Sequence, residues 1–381
     1  MPADRELRVL LVAAATSTTG GGERHVADLL RLLPARGIEV GLVTPPGGDL
    51  ALLAAHVGIP FHHADIAGGL SMAGRSQIGT AIHTFEPDIV HAHGSRAAFY
   101  ARLADPKAAR RVVYTLHGIH VDKAGSALRQ SAFVSAERVL KPRTARFVTV
   151  CDSDRRKGAR LGILESRRST TVYNGIEVPS TGSASGTFRA ELGVSEGVPL
   201  ALSIGRFHEQ KDQPTLLRAW SLVRERVPAA VLALVGAGEL DAELRALAEE
   251  LGLGDAVRFV APRPDLAPAY ADADIFALSS LWEGLPYVVL EAMSFGVPVV
   301  STGVDGIPEA VADGESGLLV PPGDSNALAG AIVRLLGDPD ARARMGEAGA
   351  AIVRERFGLE RMADELVAVY RSVAAASAAS S

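Results

Sequence analysis

The sequence has little of the residues and segments that mark several large protein classes. Its 381 residues include one cysteine, Cys151, so no disulfide can form within the chain and nothing favours an oxidising compartment. No apolar run approaches the roughly 18–20 residues that a membrane-spanning helix needs. Glycine and proline are spread along the chain instead of being gathered in one tract, and 48% of the residues are hydrophobic. This composition excludes collagen-like, coiled-coil and disordered proteins and favours a globular one.

A short apolar run from Val9 to Ala15 follows two arginines and has the composition of the hydrophobic part of a signal peptide. The run leads directly into a glycine-rich turn and an amphipathic helical pattern, which is typical of a buried strand. We therefore expect a cytoplasmic protein, with at most peripheral contact at the inner face of a membrane.

Short strand-like runs alternate with helical patterns along nearly the whole chain, which predicts parallel sheets with helices on both faces. The length suits two domains, and the strand series starts again after residue 180, so two sheets are favoured over one. The predicted strands are 8–14, 40–43, 88–91, 112–117 and 147–151 in the first half and 200–204, 230–235, 257–260, 275–278 and 297–301 in the second.

A stretch of small polar residues between the two strand series is typical of a flexible connector. Near the carboxyl end, apolar residues at helical spacing predict a final helix, followed by an alanine- and serine-rich tail that we expect to fray. The predicted divisions are a first domain at 1–178, a linker at 179–187, a second domain at 188–358, a helix at 359–375 that packs back toward the first domain, and a disordered tail at 376–381.

The strongest motif follows the predicted strand 275–278. Pro286 suits the first turn of a helix that runs on through Glu291, and the amides of Tyr287 and Val288 would then bind an anion at the helix start. Glu291, one turn further in, would reach a sugar hydroxyl, and Glu283 would lie on the other side of the anion. One anion between two carboxylates describes a nucleotide sugar. Two solvated glutamates around an ordinary helix are the alternative.

Two further loops carry candidate binding residues. Arg206 and Lys211 leave the loop after the predicted strand 200–204, and two cations there suit a diphosphate, although basic residues at this spacing are common by chance. Gly205 would allow close approach of the backbone. The run Gly20–Gly22, before the first helix, would expose amides to a ligand. It lacks the Gly-x-Gly-x-x-Gly spacing, which disfavours a nicotinamide enzyme and leaves a plain tight turn as the alternative.

These segments together resemble the retaining glycosyltransferases of the GT-B fold, family 4 type, over essentially the whole chain. The span from Glu283 to Glu291 looks like the Glu-x7-Glu signature of that family, and Gly205-Arg206 with Lys211-Asp212 resembles its diphosphate-binding segment. His117 resembles the family's Thr-His-Gly histidine, which reaches the transferred sugar, with Leu116 in the place of the Thr. Asn174 resembles the asparagine of the family's hinge turn.

The resemblance implies an α/β protein with two Rossmann-like, doubly wound domains that face a central cleft. It implies transfer of a sugar, with retained anomeric configuration, from a nucleoside diphosphate sugar to a hydroxyl acceptor, with UDP favoured as the nucleotide, in polysaccharide, glycolipid or other glycoconjugate biosynthesis. Arg263 lies in the segment that contacts the base in related enzymes. The implied catalytic residues are His117, Arg206, Lys211 and Glu283, and the implied donor-binding residues are Gly20, Gly21, Gly22, Gly205, Arg206, Lys211, Arg263, Glu283, Gly284, Leu285, Tyr287, Val288 and Glu291, with Asn174 at the hinge.

Two Asp-x-Asp pairs raise the question of a metal, because in the other major transferase fold such a pair holds a divalent ion. In the pair Asp152 and Asp154, N-capping by Asp152 and Ser153 is a plainer explanation, and Asp272 and Asp274 separate a short helix from a strand. Since two cations and a helix start already supply positive charge at the donor site, we expect neither a metal nor a cofactor.

Two other functions stay open. A nucleotide-sugar epimerase would share the two-lobed fold but needs an acid and base pair that the motifs do not offer. A non-catalytic nucleotide-sugar sensor or scaffold would be expected to lack Glu283, Arg206 or Lys211, and all three are present.

The net charge of -5 is the sum of two opposite halves. Residues 1–180 carry 23 lysines and arginines against 16 acidic residues, whereas the remainder carries 16 against 28. Residues 96–168 alone carry 17 against 6. This basic segment predicts contact with anionic lipid or with a phosphate-bearing acceptor, and a solvated basic face is the alternative. We expect no nucleic-acid partner.

Overall fold

The computed structural model describes residues 6–15, 20–121, 126–179 and 186–379, without the side chains of Lys107 and Ala109. The chain divides into two compact units, Met1–Asn174 with Glu360–Ser381, and Gly175–Leu359. The boundary at Asn174 lies four residues before the predicted end of the first domain. Of the predicted linker at 179–187, residues 180–185 lie outside the described residues, and Thr187 is already helical.

The first unit is built on a sheet in which every pairing between described strands is parallel. The strands are β1 (Leu7–Ala13), β2 (Ile38–Thr44), β3 (Phe61–His63), β4 (Ile89–His93), β5 (Val112–Leu116), β6 (Arg146–Thr149) and β7 (Ser169–Thr171). The helices are α1 (Gly21–Leu32), α2 (Asp49–His56), α3 (Met72–Phe85), α4 (Gly94–Ala104), α5 (Ala127–Leu140) and α6 (Asp152–Arg160).

The strand order in this sheet is β3-β2-β1-β4-β5-β6-β7. The chain therefore winds outward from β1 in one direction and then outward from β4 in the other. In such a sheet ligands bind beyond the carboxyl ends of the strands, where the winding reverses. Here that point is between β1 and β4, so the segments that follow these strands are placed to form a site.

The second unit repeats this arrangement. Its strands are β8 (Leu200–Ile204), β9 (Val231–Val235), β10 (Val257–Val260), β11 (Ile275–Leu278), β12 (Val299–Thr302) and β13 (Gly317–Val320), in the parallel order β10-β9-β8-β11-β12-β13. The helices are α7 (Thr187–Leu192), α8 (Gln213–Arg226), α9 (Asp241–Glu250), α10 (Ala267–Asp272), α11 (Tyr287–Ser294), α12 (Ile307–Ala310), α13 (Ser325–Leu336) and α14 (Pro339–Arg356). The last helix of the chain is α15 (Leu359–Ala378). The winding reverses between β8 and β11.

The predicted fold class and the ten predicted strands are confirmed, to within two residues at most ends. The strands that the sequence pattern missed, β3, β7 and β13, each lie at the edge of a sheet and contain three or four residues. The central strands are buried on both faces and read as continuous apolar runs, as in β1, where Val9 to Val12 have no exposed surface. The missed strands lack this signal because β3 and β7 contain no buried residue and only half of β13 is buried.

The last helix differs from its prediction. Helix α15 continues to Ala378, so residues 376–378 of the predicted disordered tail are helical, because alanine has the highest helix propensity. From Glu360 onward it belongs to the first unit, where Arg36 forms ion pairs with Glu360 and Asp364. In the described part of the chain, every helix is too short or too polar to span a lipid bilayer.

Candidate functional site

The loops that follow β8 and β11 meet at the point where the second sheet reverses its winding. The N–H of Leu281 donates to the carbonyl of Gln210 at 2.8 Å, and the hydroxyl of Ser279 donates to the carbonyl of Lys211, also at 2.8 Å. These two bonds join the loops directly. The tertiary structure thereby brings together residues that are about 70 positions apart in the sequence.

The carboxylate of Glu283 lies at the centre of this junction and is 5% exposed. It forms an ion pair with the ammonium group of Lys211, accepts a hydrogen bond from the hydroxyl of Ser280 at 2.7 Å, and contacts the amide of Gln210 at 3.3 Å. Its backbone N–H donates to the carboxylate of Asp305 at 2.8 Å. Since a buried polar group needs partners, these contacts hold the side chain of Glu283 in one orientation.

The backbone beside this carboxylate adopts a conformation that side chains disfavour. Asp212 and Asp305 have φ angles of 44° and 45°, in the left-handed region. Such conformations persist where the surroundings determine them, and they concentrate at functional sites. Asp305 uses this conformation to reach the N–H of Glu283, and Asp212 uses it to begin α8 directly after Lys211.

The loop that carries Arg206 is held through its backbone. The carbonyl of Arg206 accepts a hydrogen bond from the side-chain amide of Gln213 at 2.9 Å. The side chain of Arg206 is exposed and forms no hydrogen bond or ion pair with another described residue. A Cβ atom on Gly236 would lie 2.0 Å from the carbonyl oxygen of Gly205, and one on Gly238 would lie 2.2 Å from that of Phe207. These two glycines are therefore required for the close approach of their turn to the loop.

Helix α11 begins at Tyr287, and Pro286 is the capping residue before it, with a ψ of 125°, so the prediction of Pro286 in the first turn is wrong by one position. The backbone of Pro286 is extended, so this residue ends the preceding loop and is not part of the helix. Glu291 is half-buried in this helix and accepts a hydrogen bond from the hydroxyl of Tyr270 at 2.7 Å. Val288 is half-buried as the second helical residue, where a backbone N–H has no acceptor within the helix.

Gly284 and Leu285, the other residues of this motif, contact only the protein itself. Leu285 is buried, and the carbonyl of Gly284 accepts a hydrogen bond from the N–H of Gly306 at 3.1 Å. This bond links the loop that carries Glu283 to the start of α12. The motif is thus anchored on both sides of the junction.

Arg263 is engaged elsewhere. Its guanidinium forms an ion pair with Glu191 and lies over the ring of Phe188, 5.2 Å from the ring centre. The structure therefore does not present this side chain as free to stack on a base, because its charge is already paired.

The two Asp-x-Asp pairs are also engaged by the protein. Asp152 pairs with Arg155 and Arg156. The capping residue of α6 is Cys151, without a side-chain cap, so the N-capping explanation for Asp152 and Ser153 is wrong. Asp274 pairs with Arg189, and Asp272 accepts the N–H of the same arginine at 2.9 Å. Among the described residues, no group of three or more His, Cys, Asp or Glu side chains has the geometry to hold a metal ion.

In the first unit, the glycine-rich segment and His117 are in contact. Gly20 caps α1, and Gly21 and Gly22 are its first two residues. A Cβ atom on Gly22 would lie 3.1 Å from Cδ2 of His117, which follows β5. A larger residue at this position would therefore displace the histidine ring.

His117 belongs to a cluster of four histidines. The ring centres of His25, His93 and His117 are 5.1–5.5 Å from one another, and the ring of His91 lies 4.0 Å from that of His93. The hinge candidate Asn174 is buried and contacts Nδ1 of His25 at 3.2 Å. The sequence motifs gave no reason to include His25, because it lies on the inner face of α1, one turn beyond the glycines.

The cluster is held uncharged. Burial lowers the pKa of His25 to about 4, an effect that the hydrogen bond to Asn174 opposes only in part. Burial also lowers the pKa values of His91, His93 and His117 well below 6.5, and the neighbouring histidines lower them further. Near pH 7 all four rings are therefore neutral and offer hydrogen bonds without charge.

Sequence reasoning missed the groups that hold the candidate residues in place. Ser280, Gln210, Asp305 and Tyr270 contact Glu283 or Glu291, and they come from four different segments of the second unit. Of these four, only Ser280 and Gln210 lie next to motif residues in the sequence. That proximity was the one feature of the sequence that could have identified them as partners.

Comparison with known proteins assigns both halves of the chain. Residues 19–178 match the family model described as Glycosyltransferase Family 4, and residues 185–351 match the one described as Glycosyl transferases group 1. The phosphatidyl-myo-inositol mannosyltransferase of Mycobacterium leprae is 30% identical over 93% of this chain and 94% of its own length. The D-inositol 3-phosphate glycosyltransferase 2 of Catenulispora acidiphila is 31% identical over 93% of this chain and 90% of its own.

The fold also matches solved structures. The crystal structure of Anabaena HepE in complex with UDP-glucose superposes with a TM-score of 0.83 at 24% identity, over 96% of this chain and 100% of the other. At this identity the likeness establishes the architecture.

The contact between Gly238 and Phe207 gives a prediction for stability. A methyl group at position 238 would meet a backbone oxygen that cannot move aside, so Gly238→Ala should lower the free energy of unfolding by about 1–3 kcal/mol. Urea denaturation measures this change in the free energy of unfolding. The matched control is Gly330→Ala in α13, where a Cβ meets nothing within 4 Å. It should be neutral or stabilising by up to about 1 kcal/mol. Equal effects of the two substitutions would contradict the steric explanation.

The histidine cluster predicts a dependence of stability on pH. Because His25 has a pKa of about 4 when folded and about 6.5 when unfolded, the unfolded chain takes up a proton in this range that the folded chain does not. Stability is complete above pH 6.5 and decreases as the pH falls toward 4, by up to about 3 kcal/mol from His25 alone. Urea denaturation between pH 7.5 and 4.5 measures this slope. His25→Gln should make it shallower, and an unchanged slope would show that His25 is not its source.

Proposed function

Because this chain belongs to glycosyltransferase family 4 and has the GT-B fold, we propose that it transfers a sugar from a nucleoside diphosphate sugar to a hydroxyl acceptor, with retention of the anomeric configuration. A UDP-sugar is the proposed donor. The UDP-glucose complex of Anabaena HepE, which has the same architecture, supports this choice. The proposed products are polysaccharides, glycolipids or other glycoconjugates.

The observation that carries the proposal is the ion pair between Lys211 and Glu283 at the reversal point of the second sheet. In the proposed complex the ammonium group of Lys211 binds the diphosphate, and the carboxylate of Glu283 accepts hydrogen bonds from the sugar. Arg206, exposed on the same loop as Lys211, adds a second cation. Charge that develops on the leaving diphosphate would then be stabilised as the glycosidic bond breaks.

The choice of lysine at position 211 supports a specific role. Lys211 is the only lysine after Lys157. Apart from the histidines, all other basic residues in that part of the sequence are arginines. An ammonium group is a compact charge on a flexible stem, whereas a guanidinium is planar and bulkier. Lys211 is 15% exposed and paired with Glu283, so the position of its compact charge is fixed.

The start of α11 and Glu291 are proposed to bind a phosphate group and the ribose of the donor. The positive end of the helix dipole and the amides of its first turn favour a phosphate group. Glu291, held by the hydroxyl of Tyr270, is proposed to accept hydrogen bonds from the ribose hydroxyls. The two carboxylates would then bind the sugars at either end of the diphosphate.

The proposed mechanism uses no metal and no covalent intermediate. Positive charge from Arg206, Lys211 and the helix amides performs the task that a divalent ion performs in other transferases. Both oxygens of Glu283 already accept hydrogen bonds or an ion pair, which suits a group that orients the sugar better than a nucleophile. The departing phosphate would accept the proton of the acceptor hydroxyl on the same face of the sugar, which retains the configuration.

Contact with a membrane is proposed through helix α5. Leu128 and Val139 are 80% and 76% exposed. Because they are eleven residues apart, about three helical turns, they lie on the same face of the helix. Exposed basic residues surround them, namely Arg129, Arg138 and Arg143. Exposed apolar side chains among cations are typical of a surface that docks on anionic lipid without insertion.

Substitution of Lys211 tests the donor site. Lys211→Ala should lower kcat/KM for sugar transfer by about 10²–10³-fold, because a cation that stabilises the leaving diphosphate is lost. Release of UDP from UDP-sugars in the presence of an acceptor panel, with mass spectrometry of the products, measures turnover. Lys211→Arg should also be impaired, since a planar guanidinium places its charge differently from a compact ammonium group.

The matched control is Arg245→Ala, which removes an exposed cation paired with Asp241 in the same unit. UDP at 100 times its Kd should stabilise the wild type and this control by about 2.7 kcal/mol in a thermal-shift assay, and GDP or ADP less. Near-normal turnover of Lys211→Ala would contradict the assignment. Conversion of a UDP-sugar to its epimer without an acceptor would indicate the alternative enzyme class.

The membrane proposal predicts that the protein sediments with phosphatidylcholine vesicles containing phosphatidylglycerol and not with phosphatidylcholine alone. Because the attraction is electrostatic, 0.5 M NaCl should release most of the protein. The double variant Leu128→Ser/Val139→Ser should bind more weakly, and Leu52→Ser, which changes another exposed leucine outside the basic segment, should bind normally. Equal binding to both vesicle types would remove the proposal.

A further inference from the structure

Tyr270 contacts two residues that lie on one face of α11. It belongs to α10 and is 1% exposed, and its ring stacks on that of Phe295, with the ring centres 5.5 Å apart and an angle of 24° between the ring planes. Its hydroxyl lies 2.7 Å from Oε2 of Glu291. The N–H of Phe295 donates to the carbonyl of Glu291 at 3.2 Å, so the helical pattern continues to Phe295. Residues four positions apart in a helix are neighbours on its surface, and one tyrosine therefore reaches both.

The ring of Tyr270 is held from a second direction. The ring centre of Phe276, in β11, lies 6.2 Å from that of Tyr270, and Phe276 has no exposed surface. The tyrosine ring is thus packed against both a central strand and the end of α11. Because a tyrosine side chain has few rotatable bonds and its oxygen lies on the ring axis, fixing the ring also fixes the position of the hydroxyl oxygen.

Helix α10 is itself anchored at its carboxyl end by the second Asp-x-Asp pair. The carboxylate of Asp272 accepts hydrogen bonds from the backbone N–H groups of Gly186 and Arg189, the latter at 2.9 Å. The guanidinium of Arg189 donates to the carbonyl of Asp272 at 3.0 Å and pairs with Asp274 at 2.8 Å. These contacts join α10 to α7. The two aspartates therefore fix the helix from which Tyr270 extends.

The side chain of Glu291 gains an orientation from the bond to Tyr270. Glu291 is half-buried, and a glutamate has several rotatable bonds, so holding it in one rotamer costs as much conformational entropy as almost any side chain loses. The tyrosine O–H donates to the carboxylate, which has about four acceptor positions and is not saturated by one hydroxyl. The bond therefore orders the carboxylate before a ligand arrives, without using up its capacity to accept further hydrogen bonds.

An ordered carboxylate distinguishes between ligands that carry hydrogen-bond donors and ligands that do not. A ribose offers two neighbouring hydroxyls, and hydrogen bonds to a charged acceptor are stronger than those between neutral groups. A sugar ring without these hydroxyls offers no donor, and it takes water away from the carboxylate without replacing the lost bonds. The orientation of Glu291 should thus affect the binding of a ribose and have little effect on a ring that lacks the hydroxyls.

We propose that Tyr270 is a positioning residue for Glu291, which it holds in the orientation that accepts hydrogen bonds from the ribose hydroxyls, and that it thereby sets the preference of the site for ribonucleotides. The proposal rests on the proposed function in that Glu291 binds the ribose of the donor. A purely structural tyrosine would affect only the stability of the second unit. A positioning residue also changes the preference between two ligands that differ only in the ribose hydroxyls.

Calorimetry with UDP and with 2′,3′-dideoxy-UDP, which lacks both ribose hydroxyls, measures this preference. The wild type should bind UDP about 10–100 times more tightly, because hydrogen bonds to a carboxylate are lost with the hydroxyls. Tyr270→Phe keeps the ring on Phe295 and removes the bond to Glu291. It should weaken UDP about five- to tenfold and change dideoxy-UDP by less than about twofold.

Two comparisons make this result specific. Glu291→Ala should abolish the preference, and Tyr270→Phe added to it should not change the ratio of the two affinities further, because a positioning residue acts through the residue that it positions. Tyr100→Phe removes another buried tyrosine hydroxyl, which is bonded to the backbone of Ser71 and Gly69 in the first unit, and it should leave the ratio unchanged. Thermal unfolding checks that each variant folds.

Transfer kinetics give a second measurement. The diphosphate separates the ribose from the bond that breaks, so Tyr270→Phe should raise KM for the UDP-sugar about five- to tenfold and leave kcat nearly unchanged. A fall in kcat without a change in KM would contradict a role at the ribose.

The outcomes separate this inference from the proposed function. An unchanged preference in Tyr270→Phe, or an equal loss of affinity for both nucleotides, would overturn the positioning role while donor binding stands. An unchanged preference in Glu291→Ala would overturn it as well, since the ribose would then be bound by another group. If the wild type binds neither UDP, GDP nor ADP, the proposed function and this inference both fail.

Discussion

The burial of the Glu283 carboxylate is the constraint on which the second unit's site depends. A carboxylate that is 5% exposed is tolerated only if a cation and hydrogen-bond donors surround it. Lys211, Ser280 and Gln210 supply these partners, and they can do so only because the loops after β8 and β11 are joined by hydrogen bonds. Gly236 and Gly238 pack closely on the first of these loops and leave no room for a Cβ atom.

The polar groups of the two units solve different chemical problems. The second unit presents charge, through a lysine, an exposed arginine and two glutamates, which suits a diphosphate between two sugars. The first unit presents four neutral histidines, whose charged forms are suppressed by burial and by one another. Neutral donors and acceptors suit hydroxyl groups, whereas the charges of the second unit suit phosphate.

The candidate residues could be named from the sequence because each belongs to a short local motif. Glu283 and Glu291 are separated by one loop and one turn of helix, and Arg206 and Lys211 share one loop, so their spacing is visible in the chain. Pro286 was misplaced by one position, and the pairing of Arg263 with Glu191 was not foreseen. Neither the conformation at a helix start nor a contact between residues 72 positions apart can be read from local spacing.

The sequence by itself determined the fold class, the two parallel sheets and the motif residues, because buried parallel strands are continuous apolar runs and ligand loops follow them directly. Only the tertiary structure decided which residues hold the motifs in place. Asp305 reaches Glu283 from 22 residues away, and His93 reaches His117 from the neighbouring strand. Such contacts depend on the lateral order of the strands and on the register between them, and neither quantity has a local signal in the chain.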